Sequence, residues 1–129
     1  MLIVLVALGV GLGVLAPLSM VSLKREADAL RSNPALTLEM TIEGMRYSPA
    51  EIRVPRGAVV QVNLVNQDPT GTPHDFQTLG QHRDGRVVVW PGQRGATLFT
   101  AADRPGRYAF ICTIRGHSDA GMNGIIIVE

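Results

Sequence analysis

The chain has 129 residues, with twelve basic side chains, eleven acidic side chains and one cysteine. This length leaves room for a single domain after an apolar first quarter, and the scattered, nearly balanced charge excludes a nucleic-acid-binding surface. One cysteine excludes an internal disulfide.

The N-terminal segment is apolar enough to anchor the chain in a membrane. Residues 2–21 are aliphatic apart from glycines, Pro17 and Ser19, and no charged residue precedes Lys24. A membrane-spanning helix needs ~20 apolar residues, whereas the apolar core of a signal peptide has roughly 7–15. We therefore predict a transmembrane anchor over residues 1–23, with a signal peptide as the alternative.

The segment that follows predicts a stalk over residues 24–34. Glu26, Ala27 and Leu30 suit a short helix, which Asn33 and Pro34 would end. Lys24 and Arg25 lie directly after the apolar span and no basic residue precedes it, so the positive-inside rule taken alone places the domain in the cytoplasm.

From residue 35 onward the sequence has the period of β-strands. Apolar side chains occupy every second position from Leu36 to Ile42 and from Val60 to Leu64, which is typical of strands with one buried face. Turns that contain proline and glycine separate five further predicted strands, at 51–54, 86–90, 96–101, 107–113 and 124–128. The pattern predicts one all-β domain over residues 35–129, either a sandwich or a barrel.

A loop near the C-terminus holds three residues that bind soft metals. One apolar run ends at Cys112, the next begins just after Met122, and His117 lies between them in a Cys-x4-His-x4-Met spacing. Thiolate and thioether are soft ligands and imidazole is intermediate, so this set with a second histidine suits one copper ion in an electron-transfer site. Structural zinc sites rarely use a thioether, and calcium or magnesium would need carboxylates.

The second imidazole comes from elsewhere in the chain. Pro73 gives His74 an extended approach, and Asp75 and Phe76 resume an apolar pattern, whereas His82 is flanked by turn residues. We therefore predict that His74 joins the loop at the metal site and that His82 lies in an exposed loop. Met40 and Met45 are predicted to pack in the core.

From about Leu36 to Glu129 the chain resembles the cupredoxins, small blue copper proteins of the plastocyanin and azurin kind. The Cys-to-Met spacing is longer than in plastocyanin and resembles that of rusticyanin and the membrane-attached auracyanins. The resemblance implies a Greek-key β-sandwich with one type 1 copper ion. Beyond the ligand loop it rests on three motifs: Tyr47-Ser48-Pro49, Val54-Pro55-Arg56-Gly57 and Pro73-His74-Asp75-Phe76.

Carried over residue by residue, the resemblance implies His74, Cys112 and His117 as strong copper ligands and Met122 as a weak axial ligand. The family's usual neighbour of the first histidine is asparagine, but this chain has Asp75, so whether it bonds to Thr113 stays open. We expect this difference to shift the reduction potential. The binuclear copper site of oxidase subunit II needs a second cysteine and is excluded.

These residues predict a membrane-anchored electron carrier, not an enzyme, with its copper domain on the extracytoplasmic side, in the periplasm or at the outer cell surface. The ring edge of His117 is the predicted point of electron exchange, and Arg115 helps to dock an acidic redox partner such as a cytochrome or an oxidase. No small-molecule substrate is expected. The alternative is a copper storage or delivery protein for a membrane or periplasmic cuproenzyme. A copper enzyme of this fold would need more than the three histidines of the chain.

Overall fold

The computed structural model describes residues 34–129, which form an all-β sandwich of two sheets. The prediction of an all-β sandwich is thus confirmed for this part of the chain. Its nine strands are β1 (Leu36–Glu43), β2 (Arg46–Ser48), β3 (Glu51–Val54), β4 (Val59–Asn66), β5 (His74–Thr78), β6 (Arg86–Val89), β7 (Arg94–Thr100), β8 (Gly106–Ile111) and β9 (Asn123–Val128).

The predicted membrane helix and most of the predicted stalk lie outside the described residues. Within residues 34–129, no helix is long and apolar enough to cross a membrane.

The two sheets differ in their number of strands. One has four strands in the order β2-β1-β4-β7, and the other has five in the order β3-β9-β8-β5-β6. Two neighbouring pairs are parallel, β1 with β4 and β3 with β9, and the other pairs are antiparallel. The larger sheet therefore places β8 between β5 and β9, although more than 25 residues separate β5 from β8 in sequence.

Alternating side chains fill the space between the sheets. In β4 every second residue, beginning with Val60, is buried, as the sequence period predicts. Met40 is 2% exposed and Met45 packs against the core, which confirms the predicted role of both methionines.

Two of the nine strands, β2 and β5, were not predicted from the sequence. β2 has three residues, too few for a period to be read. In β5, four of five residues are buried, including the polar His74, Asp75 and Thr78. His74 and Asp75 interrupt the apolar pattern because they belong to the site described below.

Three aromatic rings pack together beneath the start of β5. The ring centroid of Phe110 lies 5.1 Å from that of Tyr47 and 5.1 Å from that of Phe76. Gly124 makes room for this cluster, since a Cβ atom on it would lie 2.1 Å from the Phe110 ring. Phe76 is two residues from His74, and Phe110 is two residues from Cys112, so each aromatic ring shares a face of the sheet with one of these residues.

We predict that Phe110→Ala lowers the free energy of unfolding by about 3–5 kcal/mol, because it removes a fully buried ring from this cluster. Denaturant unfolding of the metal-free chain measures the change. Val88→Ala is the control, since Val88 is 44% exposed and its truncation should cost less than about 1 kcal/mol. Equal losses in the two variants would contradict the packing described.

Candidate metal centre

Strand pairing brings together the residues predicted to bind a metal. His74 is the first residue of β5, and Cys112 directly follows β8, which pairs with β5 in antiparallel register. The loop from Cys112 to Met122 then connects β8 to its other neighbour, β9. The two segments that were far apart in sequence therefore meet at one end of the sandwich.

The donor atoms of His74, Cys112 and His117 converge on one point. The Nδ1 atoms of the two histidines are 3.2 Å apart, and the Cys112 Sγ lies 3.5 Å from the His117 Nδ1. All three donor atoms lie within 4.8 Å of one another. The third histidine, His82, is not part of this cluster; its ring is 62% exposed and lies 3.3 Å from the Asp103 carboxylate, as predicted for a loop residue.

Backbone hydrogen bonds fold the loop so that Met122 lies between Cys112 and His117. The Met122 N–H donates to the His117 carbonyl at 3.0 Å, and the Met122 carbonyl accepts from the Cys112 N–H at 3.2 Å. The loop is tightened further by the N–H of His117, which donates to the Ile114 carbonyl at 3.0 Å. Met122 is fully buried, so its thioether is shielded from solvent.

Burial separates His117 from the other three residues of the site. His74 and Met122 are 0% exposed and Cys112 is 1% exposed, whereas His117 is half-buried. Burial raises the pKa of the Cys112 thiol, although the backbone N–H groups of Asp75 and Ile114 oppose this by stabilising the thiolate. A metal ion removes the thiol proton when it binds, so a cation at this position supplies the charge that the buried thiolate needs.

The three donors fit one copper ion. Metal bonds to imidazole nitrogen are about 2.0–2.1 Å long, so two imidazole nitrogens that bind one ion lie at most about 4.2 Å apart, and the 3.2 Å between the two Nδ1 atoms is within this limit. Two histidines and one cysteine with a methionine nearby are the donor set of blue copper sites. The arrangement is consistent with one type 1 copper ion.

Asp75 ties the strand of His74 to the strand of Cys112. Its carboxylate accepts a hydrogen bond from the Thr113 N–H at 2.5 Å, a second from the Thr113 hydroxyl, and a third from the Arg86 guanidinium at 3.0 Å. Burial raises the pKa of Asp75, but these hydrogen bonds outweigh it and the pKa lies below its ordinary value. The bond between Asp75 and Thr113, which the sequence left open, is therefore present and charge-assisted.

Three residues near the site have roles that were not predicted from the sequence. The Tyr47 hydroxyl donates to the Asp75 carbonyl, and Arg86 pairs with the Asp75 carboxylate. Asp68 accepts from the Nε2 of His74 at 2.5 Å, and this bond, together with two from Thr70, lowers the pKa of Asp68 to about 2. Asp68 lies in an Asp-Pro-Thr-Gly segment that predicts a turn, and no sequence signal separates a turn former from a histidine partner.

Comparison with known proteins extends these observations to the whole domain. A family model described as a cupredoxin-like domain matches residues 12–128. Auracyanin-B of Chloroflexus aurantiacus is 24% identical over 79% of this chain, and the chain spans 56% of the length of that relative. The copper-resistant cuproprotein CopI of Rubrivivax gelatinosus is 31% identical, over 81% of this chain and 72% of CopI.

Solved structures share the fold. The structure of auracyanin B has a TM-score of 0.68 and 23% identity, and covers 75% of this chain and 91% of its own. The multicopper oxidase mgLAC has a TM-score of 0.63 and 25% identity, over 73% of this chain and 38% of the oxidase. On the match over residues 12–128 and the likeness to CopI, the chain belongs to the cupredoxin-like domain family.

Proposed function

We propose that the chain is a membrane-anchored blue copper protein that carries single electrons between redox partners outside the cytoplasm. The observation that carries this proposal is the buried cluster of His74, Cys112 and His117, of which His117 alone approaches the surface. In this proposal these three residues would hold one copper ion, and Met122 would supply a fourth, weaker ligand.

A copper ion held in this way supplies one-electron chemistry between Cu(I) and Cu(II). The protein would hold the metal-binding atoms of His74, Cys112 and His117 in fixed positions while the oxidation state of the copper ion changes. His74 is fixed by its strand and by Asp68, and Cys112 is fixed by β8 and by the Met122 carbonyl. Because the buried residues also exclude water, little rearrangement accompanies a change of oxidation state.

His117 is the proposed point of electron entry and exit. Its ring is half-buried, and the exposed residues around it in the loop include Gly116, Ala120 and Gly121. These small side chains let a partner protein approach the imidazole edge closely. A short path from the partner to the donor cluster follows, since the His117 Nδ1 is itself 3.5 Å from the Cys112 Sγ.

The nature of the partner and its place in the cell are part of the proposal. Arg115 is exposed in the same loop as His117 and supports docking of a redox protein with an acidic surface, such as a cytochrome or an oxidase. The apolar segment at residues 2–21 supports attachment to a membrane. The blue copper donor set supports the extracytoplasmic side, and in this proposal it outweighs the basic residues Lys24 and Arg25 that follow the apolar segment.

Copper storage or delivery is the second candidate function, and the likeness to the copper-resistant cuproprotein CopI favours it. Delivery calls for donors that an acceptor can reach, whereas His74, Cys112 and Met122 are buried. We therefore place the carrier first. Rapid transfer of copper from the loaded chain to an acceptor apoprotein would reverse this order.

A carrier is also proposed in preference to an enzyme. Residues 34–129 contain one cluster of histidine and cysteine donors, and the remaining histidine, His82, is paired with Asp103. Copper enzymes of this fold add a further copper site. A copper content above one ion per chain would support the enzyme instead.

We predict that the full chain binds one copper ion and gains the intense visible absorption of a copper–thiolate bond, and that Cys112→Ser abolishes this absorption. The reason is that Cys112 supplies the thiolate of the cluster. Copper titration followed by absorption and paramagnetic resonance measures both. His82→Ala is the matched control, and it should leave the stoichiometry and the spectrum unchanged. An unaltered spectrum in Cys112→Ser would overturn the proposal.

We predict that Arg115→Glu slows electron exchange with an acidic cytochrome about tenfold at low ionic strength, because it reverses the charge beside His117. Stopped-flow mixing at several salt concentrations measures the rate, and the difference should shrink as salt rises. Arg107→Glu is the control, since Arg107 is exposed near the start of β8, at the opposite end of that strand from Cys112. Equal slowing in both variants would mean that net charge, and not docking at His117, sets the rate.

A further inference from the structure

A buried carboxylate lies behind His74, on the side of the ring away from the donor cluster. The Asp68 Oδ2 is 2.5 Å from the His74 Nε2, and the two side chains are 2% and 0% exposed. The other ring nitrogen, Nδ1, faces the His117 Nδ1 at 3.2 Å. The ring of His74 thus joins a carboxylate on one side to the donor cluster on the other.

The loop before β5 is built to hold this carboxylate in place. The Asn66 side chain accepts from the Asp68 N–H at 3.0 Å and donates to the Thr72 and Val89 carbonyls. Thr70 donates to the Asp68 Oδ1 through its N–H at 2.8 Å and its hydroxyl at 2.7 Å. With Oδ1 occupied by Thr70, Oδ2 is left for His74.

No cation of the described chain balances the charge of Asp68. Among residues 34–129 its one ion-pair contact is the His74 ring, whereas the other buried carboxylate at the site, Asp75, is paired with Arg86. A buried carboxylate without a basic partner is costly unless a positive charge lies near it. The nearest place for one is the donor cluster, at the opposite nitrogen of the same ring.

This geometry has two consequences for a metal ion. By accepting the proton of Nε2, Asp68 fixes the tautomer in which the Nδ1 lone pair is free to bind, and it makes the ring a stronger donor. Its negative charge, in a region of low dielectric, also stabilises a doubly charged ion more than a singly charged one.

We propose that Asp68 is a positioning residue that holds His74 ready for the metal and, through its charge, lowers the reduction potential of the copper centre. This inference rests on the proposed copper function. It differs from the effect expected at Asp75, which acts on the Cys112 side through Thr113 and carries its own counter-charge from Arg86.

Asp68→Asn and Asp68→Ala separate the charge of Asp68 from its position. Asn keeps the size of the side chain but removes the charge, and it leaves one accepting oxygen for either His74 or Thr70, whereas Ala removes the side chain's oxygens altogether. Asp84→Asn is the matched control, because Asp84 also accepts from a threonine hydroxyl and a backbone N–H, at the far end of β5 from His74.

We predict that Asp68→Asn weakens Cu(II) relative to Cu(I) binding at least tenfold, which raises the one-electron potential by about 59 mV. Voltammetry of the loaded full chain measures this shift. For Asp68→Ala we predict a loss of about 10–100-fold in the affinity for Zn(II), measured by competition with a chelator, because His74 loses the partner that orients it. Asp84→Asn should change neither quantity.

Different results would contradict the copper function and the role of Asp68. If the wild-type chain shows no copper–thiolate absorption, the copper function fails, and the Zn(II) affinities still test the orientation of His74. If wild type binds copper but Asp68→Asn leaves the potential unchanged while its circular dichroism stays native, the inference is wrong. Loss of the native fold in Asp68→Asn would also contradict it, since Asp68 would then be a structural residue of the loop.

Discussion

The pairing of β5 with β8 is the constraint on which the metal centre depends. This pairing brings His74 close to Cys112. A hydrogen bond from the Thr113 N–H to the Asp75 carboxylate then joins the residues that follow these two donors in sequence. Next to the donors, the rings of Phe76 and Phe110 pack against each other at a tilt of 40° across the same two strands. The site therefore rests on the hydrophobic core, and its donor atoms are held by the fold before any metal arrives.

Buried negative charges near His74 also favour a bound cation. Two carboxylates, Asp68 and Asp75, lie in buried positions on either side of His74, and Arg86 compensates one of them. The thiolate of Cys112 adds a further negative charge when a metal binds. Such a region favours a cation, and it favours the more highly charged oxidation state. The burial that keeps water out also makes these charges effective, because the dielectric is low.

Much of the fold and most of the donor cluster could be predicted from the sequence. The alternation in β1 and β4 follows from one buried face, and the Cys-x4-His-x4-Met spacing placed Cys112 and His117 in one loop. The strand β5 could not be predicted, because its residues serve the site and break the apolar period. Asp68 could not be predicted either, since its role depends on a contact with His74 that only the folded loop creates.

The most direct test of the account is a crystal structure of the copper-loaded chain with anomalous scattering recorded at the copper edge. If His74, Cys112 and His117 bind the copper ion, one strong peak should lie within bonding distance of the Nδ1 atoms of His74 and His117 and the Sγ of Cys112. A peak at another position, or a Cys112 sulfur beyond bonding distance of the ion, would contradict it.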